Sequence, residues 1–279
     1  MAVRKVFFYK EENVLKVFNR IYMSLIFLFL YLPIFVLMAF SFNDSKSRVI
    51  WAGFTFKWYQ RLFENQEILG AFYNTLTVGV VSSAVATLLG TVAALGITKS
   101  KRFTRKLIMN ITNIPMINPE IVTGVSLMLM FVFLYNSLGF FKPGLLTLMS
   151  AHTTFCLPYV ILSVMPKLRQ MDSNIYEAAQ DLGCSPFRAF FKVVLPQITS
   201  GIVTGFIMSF TMSIDDFVIS YFTGGTTQTL PITIYSMTRK MVSPEINALS
   251  ALLFIFVFVL LVIINLRGGK DKLLNTNNL

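Results

Sequence analysis

Charge is what this sequence has least of. Only 13% of its 279 residues are Asp, Glu, Lys or Arg, about half the share typical of a soluble domain. With 55% apolar residues and a mean hydropathy of +0.67, that scarcity excludes a disordered chain and an ordinary soluble enzyme. Histidine occurs once, in an apolar run, which argues against a catalytic triad and excludes a His-rich metal site. Cysteine occurs twice, so there is no disulfide framework. Cys156 falls in an apolar run and Cys184 in a polar connection, so the two are not expected to pair. No G-x-x-x-x-G-K-[ST], H-E-x-x-H, G-x-S-x-G or C-x-x-C pattern occurs. The stretch from Gly90 to Lys99 resembles a phosphate-binding loop only faintly, because it lacks Gly-Lys. Gly90 and Gly96 read instead as helix-packing positions. The chain therefore brings no energy source and no cofactor site of its own.

What is present is length without charge. Six runs, Ile21–Phe42, Ala71–Thr98, Ile121–Phe141, Pro143–Pro166, Val193–Ile214 and Ile246–Leu266, are free of Asp, Glu, Lys and Arg. A helix needs about 20 apolar residues to cross a bilayer core, and each run is long enough. The expected fold is an all-α polytopic membrane protein with six spans. The expected division is a cytoplasmic segment 1–20, a transmembrane domain 21–266 with a cytoplasmic connection near 167–192, and a cytoplasmic tail 267–279. The first run is about twice as long as a signal-peptide core and no small-x-small site follows it, so it reads as a retained anchor.

The net charge of +11 has an orderly distribution. Lys and Arg cluster before the first run, between runs two and three, between four and five, and after the sixth. The other connections hold Lys46, Arg48, Lys57, Arg61, Lys142, Arg239 and Lys240 only. Positive residues favour the cytoplasmic side, so both termini are expected there. The basic balance is an orientation signal and not a nucleic-acid footprint. Three acids, Glu120, Asp215 and Asp216, lie inside or at the edge of apolar runs.

The connection between runs four and five carries a second signal. Asn174 with Glu177 has capping-box spacing, and Ala178 and Ala179 favour helix. Gly183 suits a left-handed stop. Ser185 then caps again, with Pro186 at a first helical position. The result is helix, glycine turn, helix, presenting Phe187, Phe190 and Phe191 beside Arg188 and Lys192. Such a hairpin either docks into another protein's groove or lies on the inner leaflet with its Phe in lipid.

Glu177-Ala178-Ala179, three residues, Gly183, nine residues, then Val193-x-Leu195-Pro196 resembles the EAA loop of ABC importer permeases. It departs from that pattern only by Val193 in place of Ile. Gly53-Phe-Thr-x-Lys57-Trp58-Tyr59, Ser150-x-His152-x-Thr-Phe-Cys156-Leu157-Pro158, Asp215-Asp216, Leu230-Pro231-x-x-Ile234-Tyr235-Ser236-Met237 and Val242-Ser243-Pro244-Glu245-x-Asn247-Ala248-Leu249 look like spermidine/putrescine importer permeases of the PotC type. The resemblance implies the type I (MetI-like) ABC importer permease fold in the bacterial inner membrane. It implies that the hairpin, through Glu177, Ala178, Ala179, Asp181, Gly183, Ser185, Pro186, Phe187, Arg188, Leu195 and Pro196, couples to a separate ATPase. That ATPase, in two copies, would bind ATP and Mg. A second permease subunit and an extracytoplasmic polyamine-binding protein complete the expected partners, with membrane lipid around the spans.

The membrane acids admit two readings each. A charge at membrane depth is costly and tends to face a cavity or partner. Counting from Thr199, Asp215 and Asp216 fall in the outer third, either as a cation-attracting pair or as a helix end already in water. Adjacent helical residues diverge by about 100°, so one of them can serve a structural hydrogen bond. Asn118-Pro119-Glu120 reads as a helix start in the inner third, or Glu120 lines the substrate path. His152 is hydrogen-bonded to a neighbouring helix, or belongs to that path. A stand-alone channel or carrier leaves the hairpin unexplained and lacks the internal repeat usual for carriers. A membrane enzyme lacks partner residues for its acids.

Overall fold

A computed structural model describes the backbone of residues 2–45, 50–172, 174–240 and 244–276, and the side chains of 18–45, 50–172, 174–239, 244–259 and 262. Ser173, Val242 and Ser243, which the sequence placed in motifs, lie outside the described residues. Twelve helices are described: α1 Ala2–Phe40, α2 Lys57–Glu64, α3 Gln66–Lys99, α4 Arg102–Ile117, α5 Glu120–Leu138, α6 Leu145–Gln170, α7 Asn174–Asp181, α8 Pro186–Ala189, α9 Leu195–Asp215, α10 Val218–Thr223, α11 Leu230–Lys240 and α12 Pro244–Thr276. Extended pairing among the described residues is limited to one bridge, Asn43 with Phe54.

Among the described residues, five helical stretches are long and apolar enough to cross a membrane: Phe18–Phe40, Gln66–Lys99, Glu120–Leu138, Leu145–Gln170 and Pro186–Asp215. The sixth apolar run forms α12, whose apolar part is described over Pro244–Val259. The helices outrun the expected segments. α1 begins at Ala2 and α12 continues to Thr276, so the backbone shows no break near residue 20 or 266.

The chain divides into two compact units, 1–65 with 237–279, and 66–236. In the first unit, α12 packs on α1 and α2. The segment after α1 folds as a knot. Asn43 Nδ2 donates to the Ile50 carbonyl at 2.8 Å, and its Oδ1 accepts the Ala52 N–H at 2.9 Å. The buried Trp58 ring donates to the Asn43 carbonyl at 2.7 Å. Phe42, Phe54, Phe56 and Tyr59 stack around this turn. The Gly53–Tyr59 motif is thus a folded loop that runs into the first turn of α2, with the Gly53 carbonyl and the Thr55 N–H paired to the segment after α1.

In the second unit α3, α6 and α9 form a three-helix core. Lipid offers no hydrophobic gain for helix association, so close approach through small residues does that work. A Cβ on Gly90 would come within 2.7 Å of Val160 Cγ1, and one on Gly201 within 2.9 Å of the Ser163 carbonyl. Ala86, Ala94, Ala151, Val160 and Val164 are fully buried there. Gly96, expected to pack in the same way, does not: a Cβ there would meet nothing within 4 Å. Helix α5 packs on α10, and α10 on α6. Side chains lock the turns at one end of this unit: Asn74 Nδ2 donates to the Gln228 carbonyl at 3.0 Å, and Thr147 Oγ1 donates to the Thr223 carbonyl at 2.8 Å.

Candidate coupling hairpin and membrane acids

The hairpin after α6 is built as the local chemistry demands, with a shifted start. Asn174 is already helical, and its N–H is accepted by Asp172 Oδ1 at 2.9 Å. The capping residue is therefore Asp172 and not Asn174. Glu177 lies in the first turn of α7, where a carboxylate opposes the helix dipole favourably. The far end is a complete Schellman stop. Gly183 has φ +83°, its N–H bonds the Gln180 carbonyl at 2.8 Å, and the Cys184 N–H bonds the Ala179 carbonyl at 3.1 Å.

Ser185, in extended conformation, and Pro186 then open α8. The second helix of the hairpin does not end in a loop. It runs through one π turn, Phe190–Val194, straight into α9. Pro196 supplies the reason. It has no N–H to return to Lys192, and its ring crowds that carbonyl, so the turn before it widens. The Leu195 N–H bonds the Phe190 carbonyl, five residues back. The helix that carries the fifth span consequently starts at Pro186, thirteen residues before the Thr199 used for depth counting from the sequence.

Two alanines anchor the hairpin, since Ala179 and Ala189 are buried. Glu177, Ala178, Asp181, Gly183, Ser185, Pro186, Phe187 and Arg188 all face outward. Leu182 is 88% exposed and Phe187 74%, too much apolar surface for a finished face. Phe187 and Phe191 rings lie 4.8 Å apart, so the patch is contiguous. Lys99, at the end of α3, sits 5.6 Å from the Tyr176 ring centroid, which ties α7 to the core. Leu195 is half-buried and Pro196 exposed at the root of the hairpin.

The four remaining candidates separate into two pairs. His152 is 1% exposed and Asp216 is 7% exposed. His152 Nδ1 lies 2.7 Å from Ser213 Oγ, and Nε2 lies 2.9 Å from Ser220 Oγ and 3.5 Å from Asp216 Oδ2. A carboxylate only accepts, so one set of donors is self-consistent. Ser213 donates to Nδ1, Nε2–H donates to Ser220, and the Ser220 hydroxyl donates to Asp216. Asp216 also accepts the Ile219 and Ser220 N–H groups, at 3.3 and 2.8 Å, and so caps α10. Both residues are internal supports joining α6, α9 and α10.

Asp215 and Glu120 are different. Both are exposed, and each lies within electrostatic range of the other. Glu120 also acts on the Tyr159 hydroxyl. The sequence assigned these acids to opposite thirds of the bilayer. The structure places them within electrostatic range instead, because α5, which opens at Glu120, packs on α10, which follows Asp215. Asn118 closes α4 and Pro119 is the cap of α5, one residue later than expected. Among the described residues no cation forms an ion pair with Asp215 or Glu120. Nothing in the sequence marked this pairing, since 95 residues separate its members.

Comparison with known proteins gives the chain a family. Residues 86–267 match the family described as binding-protein-dependent transport system inner membrane component. The chain belongs to that family. This inner membrane component is 37% identical over 252 residues to the spermidine/putrescine transport system permease protein PotC of Escherichia coli K12, covering 90% of this chain and 93% of that one. It is 39% identical over 231 residues to the putrescine transport system permease protein PotI of the same strain, covering 81% and 82%. Among solved structures, a bacterial ABC transporter involved in import of the acidic polysaccharide alginate superposes with a TM-score of 0.71 at 13% identity, over 91% of this chain and 96% of that one. That likeness supports the MetI-like permease fold. The substrate lies outside what a likeness at that identity carries.

Proposed function

We propose that this permease is one of two transmembrane subunits of an ATP-driven polyamine importer of the bacterial inner membrane. The observation that carries the coupling role is the hairpin. Its outward face, from Glu177 and Asp181 through Leu182 and Gly183 to Phe187 and Arg188, is apolar, charged at its rim and unfinished. A separate ATPase cleft is the partner that completes it. Two ATPase copies bind ATP and Mg, one under each permease subunit, and an extracytoplasmic binding protein delivers the substrate. Both termini lie in the cytoplasm, as the Lys and Arg bias requires.

The helix from Pro186 to Asp215 gives that docking a mechanical meaning. Thirty residues make a rod about 45 Å long. One end is the face offered to the ATPase, and the other carries Asp215. Closure of the ATPase dimer moves the first end, so the second must move with it. Asp215 and Glu120 then stand where a multivalent ammonium chain passes, and their carboxylates offset part of its lost hydration. Asp216 and His152 do not touch the cation in this scheme. They fix the backbone on which Asp215 stands.

Polyamine as substrate rests on PotC and PotI, together with the unpaired acids. Cells lacking their own polyamine import, given this chain with its partner subunits, should accumulate labelled spermidine or putrescine. Accumulation of neither polyamine contradicts the assignment.

A further inference from the structure

A cavity of about 510 Å³ opens between α4 and the end of α6, lined by Arg102, Arg105, Lys106, Met109, Asn110 and Arg169. Four of its six lining residues are cations. Among the described residues no carboxylate reaches any of the four within salt-bridge distance. Clustered cations repel one another and need an anionic counterpart. The coupling and substrate roles use none of these residues.

Helix α4 also presents a second, adjoining face. Phe103, Leu107, Ile111 and Ile114 recur at helical spacing and are 79%, 51%, 56% and 57% exposed. The cations at 102, 105 and 106 sit on one side of that stripe. α4 and the end of α6 therefore offer a basic pocket beside a run of apolar side chains. A free anion has no use for the stripe, and a neutral lipid has no use for the cations. Both features fit one ligand class, an anionic phospholipid with its headgroup in the pocket and its acyl chain along α4. The site lies one turn before the hairpin, since Arg169 precedes α7 by a few residues.

We infer that this cavity is an anionic-phospholipid site at the foot of the coupling hairpin. Native mass spectrometry of the full chain in detergent tests it, with phosphatidylglycerol and phosphatidylcholine of equal chain length as probes. The wild type should retain phosphatidylglycerol in preference to phosphatidylcholine. R105Q with R169Q should lower that preference at least about tenfold, because each removed cation weakens attraction to an anionic headgroup. Lys142→Gln, remote from the cavity, should leave it unchanged and so controls for net charge. Equal retention of the two lipids by the wild type overturns the inference, as does an unaltered preference in the double variant. Millimolar inorganic phosphate that displaces phosphatidylglycerol overturns the lipid source in favour of a soluble anion. A cysteine at position 105 that cross-links to an ATPase or to a second permease in the assembled transporter overturns it in favour of a protein interface. Absence of those cross-links supports the lipid.

Discussion

Gly183→Val isolates the coupling turn from everything else in the protein. Gly183 holds φ +83°, and an added Cβ there would meet nothing within 4 Å. The substitution therefore creates no clash with neighbours. Its cost is confined to the backbone, about 1–2 kcal/mol for an L-residue in the left-handed region, with a β-branched side chain at the upper end. The hairpin has little burial with which to resist, since only Ala179 and Ala189 anchor it on its own helices. The turn should open while the α3–α6–α9 core stays intact. An energy of that size lowers the population of the docking-competent turn by roughly 5- to 30-fold. With the partner subunits in proteoliposomes, uptake should fall by that factor, and ATP hydrolysis should lose its dependence on substrate-loaded binding protein. The melting temperature of the purified chain should barely move. Gly183→Asn is the discriminating companion, because Asn tolerates the left-handed region. It should keep most of the coupling. Uptake unchanged in Gly183→Val, or lost equally in both variants, refutes the reasoning.

The adjacent acids should respond in opposite ways. Asp215→Asn should leave thermal stability unchanged and lower the kcat/KM of polyamine uptake at least about tenfold, through loss of an exposed charge facing the substrate. Asp216→Asn should destabilise the purified chain by about 1.5–3 kcal/mol, because a buried charged acceptor with three donors is weakened; differential scanning fluorimetry reads it. Gly201→Val should fail to yield folded protein, since its side chain would strike the Ser163 backbone, which cannot step aside; overpacking costs about 1–3 kcal/mol even where neighbours can yield. Normal expression and a normal elution profile of that variant contradict the proposed α6–α9 contact.

How much was legible in the sequence depended on the range of the physics involved. The six spans follow from uninterrupted apolar length, a property of one segment at a time, and each run became a helix. The Gly183 stop and the Pro186 start are equally local, and both stand where the residues put them, although the Ser185 side chain makes no capping hydrogen bond. Errors arose where a neighbour's chemistry intervened. Asn174 has the side chain of a cap, but Asp172 reaches the same helix end first. Counting the fifth span from Thr199 starts its helix too late, because the chain widens into a π turn at Phe190–Val194 and keeps the helix continuous from Pro186. Asp215 and Asp216 are indistinguishable by type and position; only the serines and His152 packed beside Asp216 separate their roles. That Glu120 and Asp215 come within electrostatic range depends on how α5 packs on α10, which no local pattern encodes.

The central claim is that an ATPase drives polyamines through this subunit by way of the hairpin. Its most direct test is labelled spermidine and putrescine accumulation in proteoliposomes holding this chain, its partner permease and the ATPase, with loaded binding protein outside. ATP enclosed in the lumen should drive accumulation above the external concentration, and ADP should not. Equal entry with ATP and with ADP, or accumulation undiminished when the hairpin carries Gly183→Val, contradicts it.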